Sequence, residues 1–276
     1  MSPESDHSRD PDSLLRVFHE QLRLDDADGR IPGTHTERSG LVRRVWRDEP
    51  DDRWAMVESP EGLGSDPDAV ITAERDHFAA LGFPLEWKTY SYDAPADLGE
   101  RLVRAGFARE DDEALMLGDL RALAGEVKLP DGVSLRQVRT RGDARRVQQL
   151  YELVWGGQWG RADADPYRDD EPIPVSDNEY ALLAEQAPDG PVLCAARVSL
   201  HPGTDFAGMW GGTTHPDWRR RGLFRALLAQ RARWALERGA TLARVDASPE
   251  SEPILRSLGL HRVATTTPYK YPPRGD

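Results

Sequence analysis

The sequence has a single cysteine, Cys194, so no intrachain disulfide can form and nothing points to an oxidising compartment. Flanked by Val192, Leu193, Ala195 and Ala196, that thiol reads as a small buried strand residue rather than a nucleophile. No apolar run approaches membrane-spanning length, and the start, MSPESDHSRDPDS, is polar and acidic rather than signal-like. The expectation is a cytoplasmic protein with a disordered tail over residues 1–12 and no membrane contact. Positive charge is also short: 36 Lys and Arg stand against 48 Asp and Glu, a net charge of −12. Phosphate backbones and anionic lipids bind cationic surface, so nucleic acid is not an expected partner. The seven histidines show no metal-ligand spacing, so no metal is expected, and no Ser-His-Asp set can be nominated.

What is present is 276 residues, 38% of them apolar, enough for one large or two ordinary domains. The most informative stretch is Met209 to Arg238, MWGGTTHPDWRRRGLFRALLAQRARWALER. An apolar, Gly-containing strand end leads into a Thr-Thr-His-Pro-Asp turn, then three arginines and Gly222. Phe224, Leu227, Leu228, Ala232 and Ala235 follow at mostly helical spacing, with Gly239 placed to stop the helix. A helix N-terminus leaves backbone N–H groups without intrahelical partners and carries partial positive charge, which suits a pyrophosphate. Gly222 lets the backbone approach such an anion, and Arg219, Arg220, Arg221 and Arg225 add charge.

The run HPDWRRRGLFRALL, with Arg219-x-x-Gly222-x-Phe224, resembles the acetyl-CoA pyrophosphate loop of the GNAT N-acetyltransferase superfamily, Arg/Gln-x-x-Gly-x-Gly/Ala. Phe224 stands where that family usually has a small residue. The resemblance implies an α/β (α+β) fold with a mixed, mostly antiparallel sheet flanked by helices. It covers roughly Val133 to Pro272. It implies acetyl-CoA as co-substrate, held by Thr213, Thr214, Arg219, Arg220, Arg221, Gly222, Leu223, Phe224 and Arg225. The cofactor's pantetheine arm would lie in a splay between strands Phe206–Thr213 and Thr241–Val245. The implied activity is acetyl transfer to a primary amine of a small molecule or peptide, by direct attack in a ternary complex. The alternative is a non-catalytic acyl-CoA-binding regulator, and a homodimer is left open.

The pattern elsewhere predicts helices over Ser13–Arg23 with Ser13 as cap, about Ala69–Leu81, Ala96–Ala105, Asp143–Val154, Ser176–Glu185 and near Glu252–Leu258. Strands are expected at Leu41–Trp46, Trp54–Val57, Leu85–Tyr92, Ala114–Leu117, Val133–Val138, Pro191–Leu200, Phe206–Thr213, Thr241–Val245 and around His261–Thr267. Asp25–Thr36 and Gly156–Pro174 read as loops, and Ala122–Gly132, with Gly125, Pro130 and Gly132, as a linker. The segment DAPADLGERLVRAGF at Asp93 echoes DASPESEPILRSLGL at Asp246: both begin Asp-Ala, Leu102 matches Leu255, and each reaches a glycine thirteen residues on. The expected organisation is therefore a tandem: a truncated, degenerate GNAT-like domain at 13–121, a linker at 122–132, and an acetyl-CoA-binding GNAT domain at 133–276. The first half has no Arg-rich glycine loop before its helix at Ala69, so only the second half is expected to bind acetyl-CoA. Trp87 and Tyr90 are candidates to wall the acceptor pocket.

Acetyl transfer needs a neutral amine, a stabilised tetrahedral intermediate and a proton returned to the thiolate. Many GNAT proteins use a tyrosine acid four residues before the Gly-Phe that ends the penultimate helix; here that position is Leu255, and Ser248 stands where asparagine is common. Tyr269 is the remaining candidate acid. Asp205, Glu179 and Asp246 are candidate bases, with helix capping or turn formation the competing role for Asp246.

Overall fold

The computed structural model describes residues 10–25, 33–49, 52–156 and 168–271. Contacts divide the chain into two compact units, Met1–Leu117 with Asp246–Asp276, and Gly118–Val245. This differs from the expected division at 122–132: residues 246–271 pack with the first half.

The first unit opens with α1 (Pro11–Phe18), which continues as a π-type turn over His19–Arg23. Its cap is Asp10 rather than Ser13; the Asp10 carboxylate accepts the Ser13 N–H at 3.0 Å. Of the expected tail, only residues 10–12 are described, and Pro11 and Asp12 are helical. Strands β1 (His35–Ser39), β2 (Val42–Glu49) and β3 (Asp52–Glu58) form an antiparallel ladder. The first of these falls partly within the expected loop at 25–36. Helix α2 (Pro67–Ala80) crosses over to β4 (Leu85–Tyr90), which pairs parallel to β3. After α3 (Leu98–Arg104) come β5 (Ala108–Arg109) and β6 (Glu113–Asp119). The last strand of the chain, β12 (His261–Tyr271), lies antiparallel between β4 and β6, following α7 (Glu252–Ser257). Those two ladders are why β12 belongs to the first unit: without it, β4 and β6 would each expose a row of unpaired backbone groups. One face of this sheet buries Leu85, Trp87 and Tyr269 with Ile71, Phe78, Leu98, Leu102 and Phe107.

The second unit begins with α4 (Leu120–Leu123). The expected linker is part of this unit: the Arg233 Nη1 donates to the carbonyls of Ala124 and Gly125, and Leu129 packs on the core. Antiparallel strands β7 (Ser134–Gln137), β8 (Glu179–Glu185), β9 (Cys194–Leu200) and β10 (Phe206–Thr214) follow in sheet order, and β11 (Leu242–Ala247) pairs parallel to β10. Helix α5 (Arg141–Trp155) starts with a reciprocal capping box between Thr140 and Asp143. Helix α6 (Leu223–Leu236) is the β10–β11 crossover. The expected helix at Ser176–Glu185 is instead β8: Tyr180, Leu182 and Ala184 alternate onto the core, and paired neighbours on both sides outweigh the helix-forming Ala-Leu-Leu-Ala-Glu run. Residues 157–167 of the expected loop at 156–174 lie outside the described residues. Among the described residues, no helix is long and apolar enough to cross a membrane.

The repeat suspected in the sequence is visible in three dimensions. Helices α2 and α6 both have 14 residues, and each links two strands through a three-residue parallel register. The matching Leu102 and Leu255 are both 0% exposed. Gly106 and Gly259 both have φ near +90° (93° and 94°), where a side chain would be strained.

Candidate active site

The β10–β11 ladder consists of Phe206↔Leu242, Ala207↔Ala243 and Gly208↔Arg244. Strand β10 runs on to Thr214 beyond the last pair, so its side toward β11 opens from Met209 onward. On its other side the register with β9 shifts between Trp210 and Thr213, which places Gly211 and Gly212 in a bulge. Gly211 has φ 61°, a left-handed conformation, and a Cβ on Gly212 would stand 2.8 Å from the Phe224 ring. The phenylalanine that departs from the small-residue pattern is thus packed over a glycine of the strand.

Side chains hold the bulge from two helices. From α5, the Tyr151 hydroxyl donates to the Gly211 carbonyl at 3.0 Å and the Trp155 indole N–H donates to Thr213 Oγ1 at 2.9 Å. From α6, Arg231 donates to the carbonyls of Arg197 (2.8 Å), Trp210 (3.3 Å) and Leu227 (3.2 Å). Arg231 is 2% exposed, and its burial lowers the guanidinium pKa to about 10. Burial likewise pushes the Cys194 thiol up to about 11, although it lies 3.2 Å from the Thr214 hydroxyl; it is a core residue, as its apolar neighbours implied. Tyr151, Trp155 and Arg231 were not singled out in the sequence. Their only local signal is the i, i+4 spacing of Tyr151 and Trp155, which an ordinary amphipathic helix also shows.

The loop after β10 is built by short-range bonds. His215 Nδ1 accepts the Asp217 N–H at 3.3 Å, capping the turn Pro216–Trp218, so this histidine is structural. Arg219 Nε donates to the Thr214 carbonyl at 3.4 Å, and the Arg221 guanidinium lies 4.6 Å from the centre of the Trp218 ring. Arg220 and Gly222 both have positive φ, 61° and 85°. Gly222 is the N-cap of α6; no side chain caps this end and no acidic residue lies in its first turn. Arg219, Arg220, Arg221 and Arg225 are exposed, whereas the Leu223 side chain is 1% exposed in the core, which leaves only its backbone N–H for a ligand. Thr213 is buried and Thr214 half-buried, so their backbone is what they too can offer. Uncompensated N–H groups, a close-approach glycine and four guanidinium groups fit a diphosphate.

The corresponding helix of the first unit is closed to an anion. Asp66 accepts the Ala69 N–H at 3.2 Å, Asp68 lies in the first turn, and the loop from Ser59 to Asp66 contains no basic residue while sinking Leu63 into the core. Strand β3 also ends one residue past its last pair with β4, Val57↔Trp87, and so has no extended open arm.

The candidate acids and bases are not gathered. Asp205 precedes β10 at the paired end, where its carbonyl accepts the N–H groups of Thr241 and Leu242; this is the end of the strand remote from Gly222. Glu179 opens β8 rather than lying in a helix. Asp246 is buried and ion-paired with Lys88 at 2.8 Å, with Glu113 Oε2 3.4 Å from the same ammonium. Tyr269 is 6% exposed in the core of the first unit, its hydroxyl filling the space above Gly99. Trp87 (0% exposed) and Tyr90 (4%) are likewise interior, Trp87 against Phe107 and Tyr90 beneath the Arg23 guanidinium, so neither walls a pocket. Leu255, at the position of the family's usual acid, is fully buried. Among the described residues, no cluster of His, Cys, Asp and Glu could hold a metal ion.

The site is thus an open strand arm leading to a helix N-terminus with no side-chain cap and exposed arginines around it. Residues 144–260 match the acetyltransferase (GNAT) family. Solved structures share the fold over nearly the full length. A GCN5-related N-acetyltransferase from Kribbella flavida is 22% identical, with a TM-score of 0.61 over 99% of this chain and 97% of its own. A tandem GNAT protein from the clavulanic acid biosynthesis pathway is 15% identical, with a TM-score of 0.55 over 100% and 98%. A conserved protein of unknown function from Staphylococcus epidermidis is 10% identical, with a TM-score of 0.58 over 95% and 100%. No curated protein matched the chain.

Proposed function

We propose that the second unit binds acetyl-CoA and that the protein transfers the acetyl group to a primary amine of a small molecule or peptide. The observation that carries this reading is the N-terminus of α6: Gly222 in a left-handed conformation, no side-chain cap, no acidic residue in the first turn, and exposed arginines at 219, 220, 221 and 225. The backbone N–H groups there and the guanidinium groups would hold the diphosphate. The β10 backbone from Thr214 back to Gly211 would pair with the pantetheine amides. Donors of the bulge would meet the oxygen that gains charge during transfer, where a fixed N–H is worth most.

Chemistry proceeds by direct attack in a ternary complex, the amine nitrogen bonding to the thioester carbonyl carbon. Asp246, held by Lys88, serves the frame of the first unit before it serves proton transfer.

Calorimetric titration of acetyl-CoA into the wild-type protein and a Gly222→Asp variant tests the reading. Binding that the variant loses supports it, because the new carboxylate would stand against the phosphates. No binding by either rejects it. Binding without transfer across a panel of primary amines would make the protein an acyl-CoA-binding regulator instead.

A further inference from the structure

Breaking a thioester releases a thiolate that must be protonated, and the position that usually supplies the acid holds a fully buried leucine, Leu255. Tyr269 and His215 are committed elsewhere, one to the core and one to its own turn. One phenol does stand on the open part of β10. The Tyr151 hydroxyl lies 3.0 Å from the Gly211 carbonyl, past the last β10–β11 pair, on a half-buried side chain. A Cβ on Gly211 would come within 2.7 Å of that oxygen, so the glycine is what lets the phenol reach the strand. The phenolic O–H can turn toward another acceptor without moving its oxygen.

We propose that Tyr151 is the proton donor to the leaving sulfur, an inference that rests on the acetyl-CoA reading of this site. The amine nitrogen bonds to the carbonyl carbon, and the C–S bond breaks with its electron pair on sulfur. The Tyr151 O–H proton passes to that sulfur, giving the free thiol. The acylated nitrogen loses its extra proton to solvent, and Tyr151 regains one from solvent, so the enzyme ends as it began.

The surroundings suit the role. Burial raises the Tyr151 pKa, which keeps the phenol protonated at neutral pH. The charged or titratable groups that face it are Arg197 and Cys194 on β9 and Arg231 on α6; the two guanidinium groups favour the tyrosinate when it forms. Arg231 and Trp155 hold the strand on either side of Gly211, which fixes where the phenol points.

The test uses Tyr151→Phe, which removes only the hydroxyl, with CoA itself as the probe. CoA affinity is read by calorimetry, ionisation of the bound thiol by the ultraviolet absorbance of its thiolate across pH, and folding by melting temperature. The expected result is a melting temperature like that of the wild type and a CoA affinity within about twofold of it. The bound thiol should ionise about one pH unit higher in the variant, because the hydrogen bond to the thiolate is gone. With an accepted amine, kcat should fall roughly 100-fold with little change in KM for acetyl-CoA. Identical thiol ionisation in both proteins overturns the proposal. So does loss of CoA binding or of folding in the variant alone, which would make Tyr151 a strut of the bulge. Absence of CoA binding by the wild type rejects the acetyl-CoA reading itself, and this proposal with it.

Discussion

Individual side chains in this protein are constrained by backbone approach more than by bulk. Gly212 faces the Phe224 ring across a gap that a Cβ would narrow to 2.8 Å, so Gly212→Ala forces the ring aside. We expect a loss of about 1–3 kcal/mol in urea unfolding, with acetyl-CoA binding weakened through the displaced strand. Lys88 and Asp246 make a different case. Their side chains are 8% and 5% exposed, and removing one charge strands the other. Lys88→Met alone should cost about 3–5 kcal/mol, whereas Lys88→Met with Asp246→Leu should recover most of that loss. A double-mutant cycle in denaturant checks it: additive losses would show that the pair is not coupled.

At the scale of elements, the two crossover helices separate structure from function. Helices α2 and α6 have the same length and the same three-residue parallel frame, yet α2 is capped by Asp66 and α6 opens on a bare Gly222. Asp66→Ala should therefore cost about 1 kcal/mol of stability, with no effect on acetyl-CoA binding, in melting and calorimetric assays run side by side. The helices that follow repeat the same packing. Leu102→Ala and Leu255→Ala remove equivalent, fully buried side chains, and each should cost about 2–5 kcal/mol. Much of this level was legible from local pattern. Gly222 and the helical period after it announced the start of α6, and the Asp-Ala to Gly echo announced the repeat. Strand β8 was not legible, because Tyr180–Glu185 favours a helix when its neighbours β7 and β9 are out of view.

For the whole molecule, acid stability should be set by a buried ion network in the second unit. Arg136 and Arg146 bridge Asp143 and Glu185 at 2.5–2.9 Å. Hydrogen bonds from Arg136 hold the Asp143 carboxyl below its ordinary 3.8. Burial alone would raise Glu185, but Arg136 and Arg146 outweigh it and leave that group below 4.5. Both folded-state values are depressed, so their stabilisation is present above the ordinary carboxylate range and disappears as pH falls through the folded values. Urea midpoints should be flat from about pH 7 to 5 and fall below about pH 4. Asp143→Asn should lower stability at pH 7 and flatten that acid limb; an unchanged limb would place the acid sensitivity elsewhere. The C-terminal strand matters at the same scale: a chain ending before His261 leaves β4 and β6 without their shared partner and should aggregate on expression.

What the sequence determined alone was set by short-range chemistry. A glycine, four arginines and a helical period within Met209–Arg238 define a helix start rich in positive charge, and the net charge of −12 makes that cluster an exception. The absence of a tyrosine at Leu255 was equally plain. Only the tertiary structure decided where long-range partners fall. It placed β12 between β4 and β6, so that Tyr269 became core rather than catalyst, and it tied Asp246 to Lys88, 158 residues away in the chain. It also brought Tyr151 onto Gly211 across 60 residues. Pairings of that span depend on closing long loops against the rest of the fold, and no local propensity encodes them.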